Sequence, residues 1–452
     1  MTPKERNTTL SLASIYAFRM LGLFMILPIF SLYTHSLQHA TAGLIGLALG
    51  IYGLTQALLQ TPFAMISDRI GRKPVIVFGL ILFIVGSVVA AMSHTIDGII
   101  IGRAIQGAGA IGSTLIALLA DNTQEENRLK AMSVIGMVIG LSFVVSMVLG
   151  PILNSLVGLS GIFWLTAVLA SLGIVILIWI VPTPKTHFLH RDSEPVLSEF
   201  KNVLTSPELL RLNAGIFSLH ASLMALFLII PMILITSSGL SENQQWILYL
   251  PILLIATVIM FPFVIVAETK RLMKPFFIGA IIVLTLTEVS LSFFTQHILM
   301  LSISLCLFFA AFTFLEACLP SLISKIVPAG SKGTAMGIYS SSQFLGIFVG
   351  GSVGGMLYHH FGVNSIFLFC GLLGLLWIIL AMTMKQPPYL SSKIIAIRIE
   401  HNTDAINALQ NKLMAINGIK EVMVSVDEQV AYLKVDKKEL VADDLLAIIK
   451  LQ

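Results

Sequence analysis

Ionisable and amide side chains interrupt long apolar stretches of this sequence, where charged residues are rare. They are Arg19, Arg103, Gln106, His220, Glu288, Glu316 and Gln343. An arginine in the middle of a membrane-spanning helix costs about 2.5–3.5 kcal/mol on insertion scales, so it must face protein or a water-filled cavity. Apolar surroundings favour the neutral form of a carboxyl group or an imidazole, which lets such a group exchange protons near neutral pH. These residue types predict a proton-exchange centre.

Glu316 is the first candidate for the exchanged proton, because it lies near the middle of its apolar stretch, and His220 is the second. Structural alternatives remain open for each residue. Glu316 could pair with an interior donor, and His220 could be an ordinary buried histidine. Arg103 could be a hydrogen-bond hub that ties its helix to the first span, and a hub of this kind also tunes a nearby carboxyl group.

The amino-acid composition indicates the class of protein in which these residues are placed. Of 452 residues, 56% are hydrophobic and 11% are charged, and the mean hydropathy is +0.94. Soluble domains carry roughly 25% charged residues, so the composition excludes a soluble enzyme. No metalloprotease or serine-hydrolase signature occurs in the apolar runs. The three cysteines lie in those runs and predict neither a disulfide nor a metal site. We therefore expect no enzyme, no cofactor and no metal.

Twelve apolar runs are long enough to cross a bilayer. They are residues 10–34, 43–65, 74–93, 96–120, 131–153, 159–181, 211–236, 245–266, 275–295, 298–324, 334–357 and 364–384. The first run is too long for the apolar part of a signal peptide and lacks a cleavage site, so it counts as a span. The sequence therefore predicts an all-α membrane protein.

The basic residues alternate between the two sides of the predicted spans. One set of connections and the N-terminal tail hold Lys4, Arg6, Arg69, Arg72, Lys73, Arg128, Lys130, Lys185, Arg191, Lys201, Arg211, Lys270, Arg271, Lys274, Lys325 and Lys332. The opposite connections, 35–42, 154–158, 237–244 and 358–363, hold no Lys or Arg. Cytoplasmic loops are enriched in these residues. This distribution predicts that both termini lie in the cytoplasm.

The spans form two similar sets of six. A polar connection, 182–210, separates residues 1–181 from residues 211–385. Thr61-Pro62-Phe63 with Asp68 aligns with Phe261-Pro262-Phe263 and Glu268 at an offset of 200, and other pairs align at offsets near 204. Two similar halves around a site at the membrane midplane are typical of transporters.

The connection between the second and third spans carries the most specific motif. It reads Ala64-Met65-Ile66-Ser67-Asp68-Arg69-Ile70-Gly71-Arg72-Lys73. A carboxylate beside cations at a membrane border forms ion pairs that break when helices move, so it can act as a conformational latch. Asp121, at the end of the fourth span, is a candidate partner for Arg72. The alternative is simple anchoring by the cations. This loop resembles the signature loop of the major facilitator superfamily, with Ala64 in place of the usual glycine.

Two further motifs strengthen the resemblance. The fourth span contains Arg103, Gln106, Gly107 and Gly109 in the spacing R-x-x-Q-G-x-G, and the resemblance implies a part for this arginine in proton coupling. The fifth span contains Gly150-Pro151, as in the drug/proton antiporters of the superfamily, although Ser146 and Leu153-Asn154 depart from their pattern. We interpret the glycines and the proline as a helix-packing motif.

The resemblance implies a location in the bacterial inner membrane, and it also implies which helices surround the transport cavity. In the superfamily the first, fourth, seventh and tenth spans line it, so Arg19, Arg103, His220 and Glu316 could all face it, with Arg19 and Arg103 tuning Glu316. Glu288 ranks lower because the ninth span is a peripheral support helix there.

Residues 386–452 have the composition of a small soluble domain. A strand near 393–399, a helix from Thr403 to about 417, strands at 420–425 and 429–435 and a helix near 440–450 are predicted. The order βαββα resembles a ferredoxin-like lobe without its last strand. The lobe contains no cysteine, which argues against metal carriage by thiolates. The resemblance implies a lobe that either senses cytoplasmic conditions or mediates self-association, and a solubilising module is the alternative.

These features together predict a major facilitator fold of twelve helices in two pseudo-symmetric halves, with a cytoplasmic α+β lobe. The predicted function is proton-driven export of small lipophilic compounds by alternating access. A proton symporter or facilitator for a small metabolite is one alternative. A membrane sensor with a vestigial transport body that signals through the lobe is the other. The expected partners are the substrate, protons and the lipid bilayer, and the small net charge of +4 argues against nucleic acid.

Overall fold

Fourteen α-helices form the body of the chain in the residues that the structure describes. The structure is a computed structural model and describes residues 1–183, 197–328, 330–397, 403–426, 429–436 and 439–440. The helices are α1 Pro3–Phe24, α2 Ala42–Ile70, α3 Arg72–Met92, α4 Ile96–Ala108, α5 Gly112–Asp121, α6 Glu125–Trp179, α7 Phe200–Thr205, α8 Pro207–Phe227, α9 Ile230–Ser238, α10 Trp246–Thr269, α11 Met273–Leu291, α12 Ile298–Ile326, α13 Lys332–Phe361 and α14 Val363–Met382.

The helices account for the twelve predicted spans. Within the described residues, nine apolar helical stretches are long enough to cross a membrane. One of them, Lys130–Trp179, has 50 residues and contains a non-helical residue at Gly158, so it corresponds to the fifth and sixth predicted spans. The first and eleventh predicted spans correspond to α1 with the 3-10 segment Phe30–His35, and to α13. We call α1–α6 the N-terminal half and α8–α14 the C-terminal half.

Three spans predicted as continuous helices are interrupted. The first breaks after Phe24, ahead of Pro28; the fourth breaks at residues 109–111; and the seventh breaks at residues 228–229, ahead of Pro231. Proline lacks the amide hydrogen that continues a helix, and glycine at position 109 favours other backbone conformations. An apolar run reports burial and not backbone conformation, so the sequence did not predict these breaks. Helix α7 and the start of α8 lie within the predicted connection 182–210.

The two halves repeat one sharp turn. Gly158, between the fifth and sixth spans, has φ 66° and ψ −178°. Gly362, between α13 and α14, has φ 76° and ψ −173°, and it lies 204 positions later. Glycine adopts this left-handed backbone conformation without the steric cost of a side chain. The repeated geometry matches the offset seen in the sequence.

Glycines bring the two halves together along α2 and α13. A Cβ atom on Gly46 would lie 2.3 Å from the carbonyl oxygen of Gly351, and one on Gly50 would lie 2.7 Å from that of Phe348. Closer to the middle of the bundle, the Ser341 hydroxyl donates to the carbonyl of Ala57 at 3.3 Å. Small residues allow such close helix approach in membranes. We call the other end of the bundle, which carries Arg72, Asp121, Lys325 and Lys332, the basic end.

The C-terminal lobe contains a three-stranded antiparallel sheet in the order β1-β3-β2. Its elements are β1 Ser391–Ala396, α15 Thr403–Met414, β2 Ile419–Ser425 and β3 Val430–Val435. The lobe therefore has the split β-α-β arrangement of ferredoxin-like domains as far as it is described. Strand β1 begins and ends earlier than the predicted 393–399. The predicted helix near 440–450 lies outside the described residues.

The lobe docks on the basic end of the C-terminal half. Arg271 Nη2 donates to both carboxylate oxygens of Asp436, at 2.9 and 3.1 Å, and the Met273 amide donates to the Tyr389 hydroxyl at 3.0 Å. The Lys434 ammonium also donates to the carbonyl of Ser324 at the end of α12. These contacts attach the lobe to α10, α11 and α12.

Candidate functional site

Three of the predicted site residues meet in the C-terminal half. The amide Nε2 of Gln343 on α13 lies 2.8 Å from Nε2 of His220 on α8 and 3.4 Å from Oε1 of Glu316 on α12. His220 Nδ1 lies 3.3 Å from the carbonyl of Ile216, so the consistent tautomer carries its hydrogen on Nδ1 and accepts the Gln343 amide at Nε2. Gln343 therefore bridges the imidazole and the carboxyl group.

Glu316 is the accessible member of this cluster. Its side chain is 37% exposed, whereas that of His220 is 6% exposed, and 3.9 Å separates His220 Nε2 from Glu316 Oε2. The imidazole also packs against Phe312, with 5.8 Å between the ring centroids. The Glu316 side chain is thus partly exposed, although its Oε2 atom is buried without a hydrogen-bond partner within the described residues, and the histidine lies behind it against an aromatic ring.

Arg19 belongs to a separate network in the N-terminal half. Its Nη2 donates to the Tyr52 hydroxyl at 3.0 Å and to Gln56 Oε1 at 2.9 Å. The Gln56 amide in turn donates to Gln60 Oε1 at 3.1 Å. All these partners are on α2, so Arg19 joins α1 to α2 through neutral acceptors.

Arg103 is the hub of a second network. Its Nη1 donates to Gln106 Oε1 at 3.0 Å, its Nε contacts the carbonyl of Ala48 at 3.4 Å, and its guanidinium lies 4.8 Å from the centre of the Tyr52 ring. Gln106 Nε2 donates to the Ser87 hydroxyl at 2.7 Å. The hub therefore ties α4 to α2 and α3. Its link to the first span, which the sequence analysis expected to be direct, runs through Tyr52.

The two arginines do not contact Glu316 in the described part of the chain. Their hydrogen bonds stay within the N-terminal half. The ring of Tyr52, a residue that both arginines contact, lies 6.3 Å from the ring of Phe344, measured between centroids. This aromatic contact places the arginine networks next to Gln343, the residue before Phe344. No contact within the described residues supports the expectation that Arg19 and Arg103 tune Glu316, because the hydrogen bonds they make run to groups of the N-terminal half.

The signature loop forms a compact ionic cluster at the basic end. Arg72 contacts the Asp68 carboxylate, donates from Nη1 to the Ser67 hydroxyl at 2.8 Å, and donates from Nε to Asp121 Oδ2 at 3.3 Å. The side chains of Arg72 and Asp121 are 2% and 0% exposed. The cluster therefore joins the ends of α2, α3 and α5.

The other residues of the loop have different surroundings. Gly71 has φ 99°, a left-handed conformation that favours glycine, and it ends α2 one residue before α3 begins. The Lys73 ammonium donates to the carbonyl of Val181, whereas Arg69 is exposed. The structure thus places Arg72 and Lys73 in interhelical contacts and leaves Arg69 on the surface.

Glu5 is a buried acidic residue that the sequence analysis did not select. It accepts hydrogen bonds from the amide of Gln124 at 2.8 Å, the amide of Thr2 at 2.7 Å and the side chain of Asn127 at 3.1 Å. Burial alone would raise the pKa of this carboxyl, but these hydrogen bonds outweigh it and hold the pKa below the usual value. The capping-box spacing of Thr2 and Glu5 is the signal that could have found it.

Glu288 is more deeply buried than its predicted peripheral helix suggested. It is fully inaccessible on α11, and neither carboxyl oxygen has a hydrogen-bond partner within the described residues. Ser222 on α8 and Cys370 on α14 are its polar neighbours. The ninth span was expected to be a peripheral support helix, but the side chain of Glu288 points into the C-terminal half.

The glycines of the predicted helix-packing motif each lie against a neighbouring backbone. A Cβ on Gly107 would lie 2.3 Å from the carbonyl oxygen of Tyr52, one on Gly109 would lie 2.4 Å from that of Gly79, and one on Gly150 would lie 2.5 Å from that of Met25. Pro151 follows, buried inside α6. At the three glycine positions, only the hydrogen side chain of glycine fits against the neighbouring backbone.

Replacing Gly107 by alanine is expected to destabilise the fold. The methyl group would meet the backbone of α2, and forcing extra atoms into a packed interior costs about 1–3 kcal/mol. Thermal unfolding of the purified protein in detergent measures the loss. Gly136→Ala is the matched control, because nothing lies within 4 Å of its Cβ position. Equal melting temperatures for the two variants would contradict this interpretation of the motif.

Comparison with known proteins agrees with this architecture. Residues 12–350 and 269–416 match the Major Facilitator Superfamily. A crystal structure of a D-xylose-proton symporter superimposes with a TM-score of 0.67 at 17% identity, covering 84% of this chain and 98% of that one. The chain therefore belongs to the Major Facilitator Superfamily, a family of transporters and not of enzymes, and the predicted fold class is confirmed.

The chain is also similar to individual members of the superfamily. It is 48% identical over 438 residues to the inner membrane transport protein YajR of Escherichia coli (strain K12). That alignment covers 97% of this chain and 96% of the Escherichia coli protein. It is 25% identical over 349 residues to the multidrug resistance protein MdtH of Aeromonas salmonicida (strain A449), which covers 75% of this chain and 85% of that protein. The chain is thus a multi-pass inner-membrane transporter.

Proposed function

We propose that this transporter exports small lipophilic compounds in exchange for protons. The observation that carries the proposal is the cluster of Glu316, His220 and Gln343, in which a partly exposed glutamate side chain is bridged by an amide to a buried imidazole. The similarity to a multidrug resistance protein supports export of lipophilic compounds. The distribution of basic residues supports a cytoplasmic basic end.

The proton acts in this proposal by changing which helices Glu316 holds. An ionised Glu316 accepts a hydrogen bond from the Gln343 amide on α13, and the same amide donates to the neutral His220 on α8. A neutral Glu316 accepts this hydrogen bond more weakly, which loosens α12 from those helices. A ligand or proton shifts a conformational equilibrium only by such differential contacts. Protonation would therefore bias the halves toward one access state.

Two further structural features support alternating access. The contacts of α2 with α13 that involve Gly46, Gly50 and Ala57 close the end of the interface away from the basic end. The cluster around Arg72 lies at the basic end and serves as the latch. We assign residues 1–181 and 211–385 to the two moving halves, supported by the matching turns at Gly158 and Gly362.

Compound-induced proton movement tests the proposal. The purified protein is placed in vesicles of one orientation with a pH-sensitive dye inside, and a panel of lipophilic compounds is added. We expect a subset to drive protons opposite to their own movement. Proton movement in the same direction as the compound would favour the symporter. If no compound moved protons while deletion of residues 386–452 abolished a cellular phenotype, the sensor would be favoured and transport by exchange would be wrong.

A further inference from the structure

We infer that the N-terminus of α5 binds the carboxylate head group of a lipophilic organic anion. The inference rests on the proposed export function and names the substrate class. Helix α5 begins in the interior of the fourth span, because α4 ends at Ala108 and α5 starts at Gly112. Broken membrane helices present their amino ends to anionic groups near the midplane.

The N-cap residue of α5 provides no side-chain cap. Ile111 at the N-cap position is fully buried and its side chain accepts no hydrogen bond. The first amide groups of a helix have no acceptor within the helix, and the helix dipole adds partial positive charge there. Ten residues of helix follow, through Asp121. This end therefore offers backbone donors in an apolar interior.

The unused donors of Arg19 point to the same place. Arg19 is 1% exposed, and its Nε and Nη1 have no hydrogen-bond partner within the described residues. Nη1 lies 3.8 Å from the point where a Cβ on Gly112 would lie, and the Tyr16 hydroxyl lies 3.0 Å from that point. The hydroxyl of Thr114, on the first turn of α5, is likewise buried without a partner in the described chain. The Arg19 guanidinium and the Tyr16 hydroxyl thus lie beside the first residue of α5, next to the amide donors of its first turn.

The charge of the surroundings favours an anion. The hydrogen bonds of Arg19 go to a phenol and a carboxamide, and Arg103, the second buried cation, stacks on the same Tyr52. Gln60 Oε1 is an acceptor 3.9 Å from the Gly112 position, and it already accepts the Gln56 amide. Buried charges require compensation, and a bound carboxylate would supply it with bidentate geometry for the guanidinium.

An aromatic cluster near this position can take the apolar body of the ligand. Phe24, one and a half turns along α1 from Arg19, contacts Phe143 edge to face with 5.2 Å between centroids. Phe143 stacks on Phe312 of the C-terminal half at 6.2 Å. The ligand would therefore lie between the halves, with its head group on the N-terminal half and its body against both.

Binding of three matched probes to the purified full-length protein tests this inference. The probes are naphthalene-2-carboxylate, naphthalene-2-carboxamide and 2-naphthylmethylammonium, which share one apolar body and differ in charge. Isothermal titration calorimetry is expected to give the carboxylate at least about tenfold tighter binding than the other two. Acetate and chloride serve as additional arms, and both are expected to bind much more weakly than the naphthalene carboxylate.

Two kinds of variant locate the site. Gly112→Ala places a methyl group beside these donors, 3.0 Å from the Tyr16 hydroxyl, and is expected to weaken carboxylate binding about tenfold, while Gly136→Ala leaves it unchanged. Arg19→Lys keeps the charge but loses the planar fork, so it is expected to lose about tenfold as well, whereas Arg6→Met removes an exposed cation from α1 without effect. The melting temperature of each variant checks its folding.

The outcomes separate this inference from the proposed function. The inference would be overturned if the three naphthalene probes bound equally, or if folded Gly112→Ala bound the carboxylate at the wild-type level. It would also be overturned if acetate and chloride bound as tightly as the naphthalene carboxylate. Carboxylate-selective binding that depends on Arg19 and Gly112 supports it even if no compound moves protons, a result that would overturn only the proposed exchange.

Discussion

Glu316→Gln is expected to reduce pH-gradient-driven transport to background while the protein still binds its substrate. Glutamine keeps the size and hydrogen-bonding capacity of the side chain but cannot ionise, so the contact with Gln343 no longer changes with protonation. Gradient-driven uptake into vesicles, with a compound identified from the panel, measures the effect.

Two controls make this result specific to Glu316. Glu242→Gln removes an exposed carboxyl group from the C-terminal half and is expected to transport as the wild type does. Exchange of labelled for unlabelled compound without a pH gradient shows whether Glu316→Gln still alternates. Gradient-driven transport at the wild-type level in Glu316→Gln would make the assignment of the coupled proton wrong.

Arg72→Met is expected to destabilise the protein by about 3–5 kcal/mol, because removing one partner of a buried ion pair leaves buried charge poorly compensated. The Asp121 side chain is inaccessible, and Arg72 contacts both Asp68 and Asp121. Methionine keeps the apolar stem, so the variant isolates the loss of charge. Thermal unfolding in detergent, compared with wild type, measures the change.

Arg69→Met provides the comparison, since Arg69 is a cation of the same loop but is exposed. A surface substitution of this kind changes stability by about 0.5 kcal/mol or less. If both variants melted at the same temperature, the cations would act only as membrane anchors and the latch would lose its structural basis.

The sequence predicted the spans well because the bilayer imposes a length and an apolar composition on each of them. It did not predict the interruptions at residues 25–29, 109–111 and 228–229, because apolar residues are compatible with helix and turn alike. The break before Gly112 matters most, since the proposed anion site depends on it.

The sequence predicted which residues form the candidate site but not which residues they contact. Glu316, His220 and Gln343 were each selected because polar groups are costly at membrane depth, but their common contact depends on how α8, α12 and α13 pack. Arg103 was expected to bond toward the first span, and its hydrogen bonds run to α2 and, through Gln106, α3. One sequence contains no information on which faces of distant helices meet, so these partners required the structure.

The turn that precedes α11 is held by the C-terminal lobe. Arg271 has φ 57°, a backbone conformation in which a side chain is unfavourable, at the position 200 residues after Gly71. In the N-terminal half the neighbouring Arg72 finds its acids within that half, whereas Arg271 finds Asp436 in the lobe. The second half forms its own ion pair there between Glu268 and Lys325, and the lobe adds a second one, so removal of the lobe would leave the guanidinium of Arg271 without its carboxylate acceptor.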